Sequence, residues 1–102
     1  MIPVLEQRRA EIAVRCRQFH VRRLDLFGSA AREVDFDPAR SDVDLLVTYD
    51  PGRRPSVFEH PNLRDALAAL LGRPVDLVTE GTVRNPFVLA GIERSRQHFH
   101  GA

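Results

Sequence analysis

The run "DVDLLVTY", Asp42 to Tyr49, constrains this chain more than any other stretch. After its acidic start it is nearly continuous in apolar residues, and a strand of that kind has to be covered on both faces. The chain has 102 residues, and domains of that size bury only somewhat more than about 60% of the surface their unfolded chains expose. There is room for one core and one shallow site, so residues 1–102 are expected to form a single small domain.

The flanking sequence supplies the cover. Residues 3 to 19 read as a helix, with Pro3 suited to a first helical position and Leu5, Ile12, Cys16 and Phe19 near one face. "VRRLDLFG", Val21 to Gly28, reads as a strand that ends at the glycine, with Leu24 and Leu26 on one side. A brief helix is expected from Ser29 through "AARE", and "DPGRRP", Asp50 to Pro55, is a loop by turn chemistry. Ser56 and Glu59 form a possible capping box, whereas Pro61 favours a later start. Either helix ends at Gly72, after Leu63, Leu67, Leu70 and Leu71.

"PVDLVT", Pro74 to Thr79, is a third strand. Asn85 then caps a last helix with Pro86 at its first position and Val88, Ile92, Ser95 and Phe99 on its core side, and the tail "HFHGA" is expected to fray. Short strands separated by helices predict an α+β layered fold in which helices pack against a small mixed β-sheet.

Composition excludes several classes of function. With 43% hydrophobic residues, the chain has no segment approaching the roughly 18 consecutive apolar residues of a membrane span. Charges within the first turns argue against a secretory signal, and the lone Cys16 forms no internal disulfide and reads as core. The expected compartment is the cytoplasm. Net charge is only +1, built from fifteen Arg, no Lys and fourteen acids, with the Arg pairs scattered. No direct nucleic-acid binding is expected from that balance, because a phosphate backbone is held by clustered excess positive charge.

The chemistry concentrates between Leu26 and Val47. In a strand, Asp42 and Asp44 point to the same side with Cα atoms about 6.5–7 Å apart. Carboxylates so placed can each hold, or jointly bridge, divalent cations about 3.5–4 Å apart. Asp76 sits second in its own strand, and if the two strands are neighbours three carboxylates converge, a hard oxygen set that suits Mg²⁺. Gly28-Ser29 offers the complementary half. A strand that turns at Gly and enters a helix at Ser exposes backbone N–H groups and a hydroxyl, which together favour a phosphate. Each feature alone is common. Gly-Ser, twelve residues, Asp-x-Asp entering a buried strand and a third acid in the next strand together match what phosphoryl or nucleotidyl transfer requires.

"LFGSAAR", "SDVDLLV" and "LGRPVDLVT" resemble, in order and spacing from about Val21 to Thr79, the minimal nucleotidyltransferase (MNT) family, the smallest branch of the DNA polymerase beta superfamily. The resemblance implies a polymerase-beta-type palm. It implies that Gly28, Ser29 and Arg32 contact the nucleotide triphosphate and that Asp42 and Asp44 bind two Mg²⁺ ions. Asp76 would be the third carboxylate, helping to hold the catalytic metal and taking the proton from the attacking hydroxyl. It further implies ATP as substrate and, as partner, a HEPN-domain ribonuclease toxin bound in a hetero-oligomer and silenced by transfer of AMP to a tyrosine. The chain departs from the family where Glu33 replaces the usual Gly after Arg32.

That departure motivates a second reading, an antitoxin with a decayed site that neutralises its partner by binding alone. Transfer to a small molecule is disfavoured because the chain leaves no second domain for the acceptor, and a polymerase role because a basic groove is missing. Asp35 and Asp37 read as surface acids. His98 and His100 at a fraying end lack further metal ligands nearby in sequence, His20 and His60 are expected to cap or pack, and Tyr49 is expected to pack at an edge. Apolar residues on the terminal helices in excess of the core's needs would leave a docking surface.

Overall fold

The structure, a computed structural model, describes residues 3–28, 42–53 and 55–101. The expected short helix after Gly28 lies outside these residues, as do Ser29, Arg32, Glu33, Asp35 and Asp37.

The N-terminal helix forms in two pieces, α1 (Pro3–Gln7) and α2 (Arg9–Gln18). They abut at Arg8, whose N–H still donates to Val4 O at 3.1 Å and whose carbonyl accepts from Ile12 N–H at 2.9 Å, so helical hydrogen bonding runs through the break. Leu5, Ile12 and Cys16 are buried, as their spacing predicts. Burial pushes the Cys16 thiol up to about 12, which suits a small apolar core residue and not a nucleophile.

Strands β1 (Val21–Phe27), β2 (Val43–Tyr49), β3 (Val75–Thr79) and β4 (Gln97–Gly101) form one mixed sheet in the order β3-β2-β1-β4. β2 and β3 run parallel, connected by α3 (Glu59–Leu71), while β1 is antiparallel to both β2 and β4. The start of α3 falls between the two expected positions. Ser56 Oγ accepts from Glu59 N–H at 3.3 Å, and Pro61 is accommodated in the first turn, where a helix needs no N–H. The helix ends at Gly72, as expected.

The C-terminal tail does not fray. α4 (Pro86–Ser95), capped by Asn85 Oδ1 accepting from Phe87 N–H at 2.9 Å, stops at Arg96, and the following residues pair with β1 as β4. Phe99, expected on the helix, instead enters the core from this edge strand. Arg9 spans the junction, its guanidinium 4.3 Å from the Phe99 ring centroid and its Nη1 donating to Phe99 O at 2.7 Å. Gly101 closes the strand at φ 89°, where a Cβ would overlap the Arg22 carbonyl.

The two faces of the sheet differ. Val43, Leu45 and Val47 of β2, Leu24 and Leu26 of β1 and Val75 and Leu77 of β3 form the core with Leu5, Ile12, Leu63 and Leu67 of the helices. Each such side chain fully buried contributes about 1.5–3 kcal/mol. Side-chain alternation places Asp44, Leu46 and Thr48 of β2 and Asp76 of β3 on the opposite face. There α4 packs over β1, and Leu46 and Ile92 are buried.

Among the described residues no helix is long and apolar enough to cross a membrane. Tyr49 joins three elements: its hydroxyl lies 2.8 Å from His60 Nδ1, and His60 Nε2 lies 2.9 Å from Leu77 O. A carbonyl only accepts, so Nε2 carries the proton and Nδ1 accepts from the tyrosine. Burial first, then Glu59, pushes the Tyr49 hydroxyl up to about 12, so this tyrosine packs and stays protonated.

Candidate active site

β1 ends where β2 and β3 begin, and this end of the sheet gathers the acidic residues. Val43 N–H donates to Pro74 O at 3.0 Å, which aligns the starts of β2 and β3. Phe27 is the antiparallel partner of Asp44, and Asp44 is the parallel partner of Asp76. Neighbouring strands stand about 4.7–4.9 Å apart, so the two aspartates project side by side from one face. Asp44 is half-buried and Asp76 exposed.

Gly28 follows β1 directly at φ 66°. A Cβ built there would overlap Asp44 Oδ2, so the missing side chain is what lets the turn lie against the carboxylate. The Gly28 amide, which the Gly-Ser motif suggests for a phosphate, is engaged within the protein in this structure. It donates to Ser95 Oγ at 3.0 Å, and the Ser95 hydroxyl in turn donates to Gly91 O, 2.9 Å away, one turn back in α4. Gly28 thus combines close approach to Asp44 with an N–H held by Ser95.

Asp42 lies immediately before β2 and is exposed. The expected convergence of three carboxylates is only partly realised, because among the described residues no three His, Cys, Asp or Glu side chains stand together as a metal cluster. Strand pairing enforces the Asp44–Asp76 pair, whereas Asp42 precedes the paired segment. The donor set nonetheless fits Mg²⁺, which keeps several waters and is usually held by one or two carboxylates plus substrate phosphates, without an all-protein cage.

The same face holds a charged cluster that sequence patterning missed. Asp25, central in β1, is fully buried, with Arg23 Nε donating to its Oδ1 at 2.9 Å and Arg96 Nε to its Oδ2. Arg96 also donates to Glu80 (2.8 and 2.9 Å) and Glu93 (3.0 Å), and Thr48 Oγ1 donates to Glu80 at 2.7 Å. The Arg96 hydrogen bonds hold Glu80 below the usual carboxylate range, and Glu80 in turn raises Arg96. This cluster fixes the C-terminal end of α4, and with it Ser95, to the sheet. The one sequence signal for it is an acid set between two leucines of β1, Leu24 and Leu26.

A concavity of about 700 Å³, lined by residues including Tyr49, Pro51, Thr79 and Thr82, lies between the turns after β2 and β3, at the opposite end of these strands from Asp44 and Asp76. The carboxylates, not this concavity, mark the candidate site. His98 Nε2 donates to Gly101 O at 2.8 Å, a contact within β4.

Comparison with known proteins points to one family. A family model described as a nucleotidyltransferase domain matches residues 9–98. The chain is 37% identical over 76 residues to a Methanocaldococcus jannaschii protein named as a protein adenylyltransferase, covering 74% of each. It is 39% identical over 69 residues to the protein adenylyltransferase MntA of Thermococcus cleftensis, covering 67% of this chain and 65% of that one. A solved minimal nucleotidyltransferase structure superposes with a TM-score of 0.71 at 33% identity, over 91% of this chain and 90% of that one. A complex of a tri-AMPylated Shewanella oneidensis HEPN toxin with its MNT antitoxin matches with a TM-score of 0.66 at 18% identity, over 95% of this chain and 72% of that one, a likeness of fold alone.

Proposed function

Because the chain belongs to the nucleotidyltransferase-domain family, we propose that this nucleotidyltransferase transfers AMP from ATP to a hydroxyl, that of a tyrosine, on a partner HEPN-domain ribonuclease toxin and so acts as its antitoxin. The observation that carries the reading is the Asp44–Asp76 pair on adjacent parallel strands, with Gly28 packed against Asp44. ATP as substrate and an unpaired cysteine agree with work in the cytoplasm, by the whole 102-residue chain as one domain.

In this reading Asp42, Asp44 and Asp76 hold Mg²⁺, which when bound neutralises charge on the phosphate oxygens of the nucleotide. Gly28, Ser29 and Arg32 position the triphosphate. Asp76, exposed at the start of β3, accepts the proton of the attacking hydroxyl. The acceptor oxygen bonds to the α-phosphorus as the α–β bridging bond breaks in line, giving AMP on the acceptor and pyrophosphate. Phe87, Val88 and Leu89, in the first turn of α4, are exposed by 85%, 50% and 44%. They offer apolar surface of the kind a partner protein covers.

The test incubates wild type and the Asp42→Asn, Asp44→Asn double variant with α-labelled ATP, Mg²⁺ and the protein encoded by the adjacent reading frame. Label on that protein with wild type alone supports transfer. Protection against the toxin by both proteins, with label from neither, favours neutralisation by binding.

A further inference from the structure

The least expected contact at the site comes from the far end of the chain. The Gly28 amide, at the turn that lies against Asp44, is held by Ser95, the last residue of α4. The Ser95 hydroxyl accepts from Gly28 and donates into its own helix, to Gly91 O at 2.9 Å with Ile92 O at 3.4 Å, so its proton faces the helix and its lone pair is aimed at the turn. α4 itself cannot shift easily at this point, because the next residue, Arg96, is bound to the buried Asp25 of β1 and to Glu80 after β3.

We propose that Ser95 is a positioning residue for nucleotide binding: its hydroxyl holds the Gly28 turn against Asp44, so that Gly28 and the Asp44 carboxylate meet the nucleotide in a preset arrangement. This rests on the transferase reading above. A turn at φ 66° tolerates no Cβ beside Asp44 and has no side chain of its own to hold it. The hydrogen bond from the Gly28 amide to Ser95 Oγ anchors the turn, and an organised site binds its ligand without the cost of ordering it. Ser95 touches neither nucleotide nor metal in this scheme. It acts through Gly28.

The experiment compares wild type, Ser95→Ala and Ser95→Thr in two measurements. The first is hydrogen exchange of the Gly28 amide by NMR without nucleotide. The second is calorimetric binding of α,β-methylene-ATP with Mg²⁺, an analogue whose α–β link does not transfer. Loss of one hydrogen bond of ordinary strength corresponds to about a tenfold change. Ser95→Ala is therefore expected to exchange the Gly28 amide about tenfold faster and to bind the analogue about tenfold more weakly, with its cooperative unfolding transition retained. Ser95→Thr, which keeps the hydroxyl, is expected to restore both. Equal binding by wild type and Ser95→Ala overturns the positioning role while leaving the transferase reading intact, as does weakening in Ser95→Thr equal to that in Ser95→Ala. Failure of wild type itself to bind the analogue sinks the transferase reading, and this proposal with it.

Discussion

Gly28 and Asp44 sit so close that a Cβ on the glycine would overlap the carboxylate and lie 3.3 Å from its Cγ. Gly28→Ala therefore has two costs: about 1–2 kcal/mol for an L-residue in the left-handed region, and displacement of Asp44 from its place beside Asp76. Urea unfolding is expected to report the first as lost stability. The labelled-ATP assay is expected to report the second as a drop in transfer of more than about tenfold. Full activity in the variant would show that Asp44 need not hold this position.

Asp44 and Asp76 form a cross-strand pair of like charges, an arrangement that a cation relieves. Added Mg²⁺ is expected to raise the melting temperature of wild type, since a ligand that binds only the folded state stabilises it. Asp76→Asn should lose most of that shift, and transfer should fall by about 10²–10⁴-fold if the carboxylate also takes the acceptor proton. A scanning calorimetry trace that responds to Mg²⁺ equally in both proteins would remove Asp76 from the metal site.

The strands and helices that carry strong periodic or punctuation signals were legible in the sequence. Asp42–Tyr49 and Pro74–Thr79 read as strands, and Asn85-Pro86 and Gly72 marked helix ends that the structure places there. β4 was not legible, because Gln97–Gly101 is five polar-rich residues following a helical pattern whose spacing also reaches Phe99. Its partner strand, β1, is what makes it a strand, and pairing across some 75 residues of chain leaves no local trace. The site divided the same way. Asp44, Asp76 and Gly28 stood out by motif, and register brought them together. Asp25, Arg96 and Ser95 carried no motif, since their roles depend on the path of α4 across the sheet. Ser29 and Arg32 lie outside the described residues.

The buried Asp25 depends on its two arginines. Arg96→Met removes the partner at Oδ2 and leaves Arg23 alone to balance the charge. Breaking a buried pair by removing one member costs about 3–5 kcal/mol, and the surviving Arg23 contact places this case toward about 3. Adding Asp25→Leu removes the stranded charge, and the double variant is expected to recover much of the loss. A double-mutant cycle by urea denaturation checks this. Additive effects of the two changes would show that Asp25 and Arg96 are not coupled.

Stability should decline with acid over two separable pH ranges. His100 titrates below its ordinary 6.5 because burial, followed by the Arg17, His98 and Arg9 charges, disfavours its cation. The unfolded chain therefore takes that proton first, and stability that is whole above about 6.5 declines as pH falls toward the folded value. Glu80 lies below its ordinary 4.5, held there first by its hydrogen bond from Arg96. Its contribution is whole above about 4.5 and is lost as pH falls through the depressed value. The difference between variants is the readout. Urea midpoints measured across pH are expected to lose the upper step in His100→Asn and to flatten in the lower range in Glu80→Gln. High salt should shrink the Glu80 step, because that carboxylate reaches solvent and its attraction to Arg96 is partly screened. A lower step that is the same in wild type and Glu80→Gln would mean that the Arg96 cluster holds α4 on the sheet through Asp25 alone.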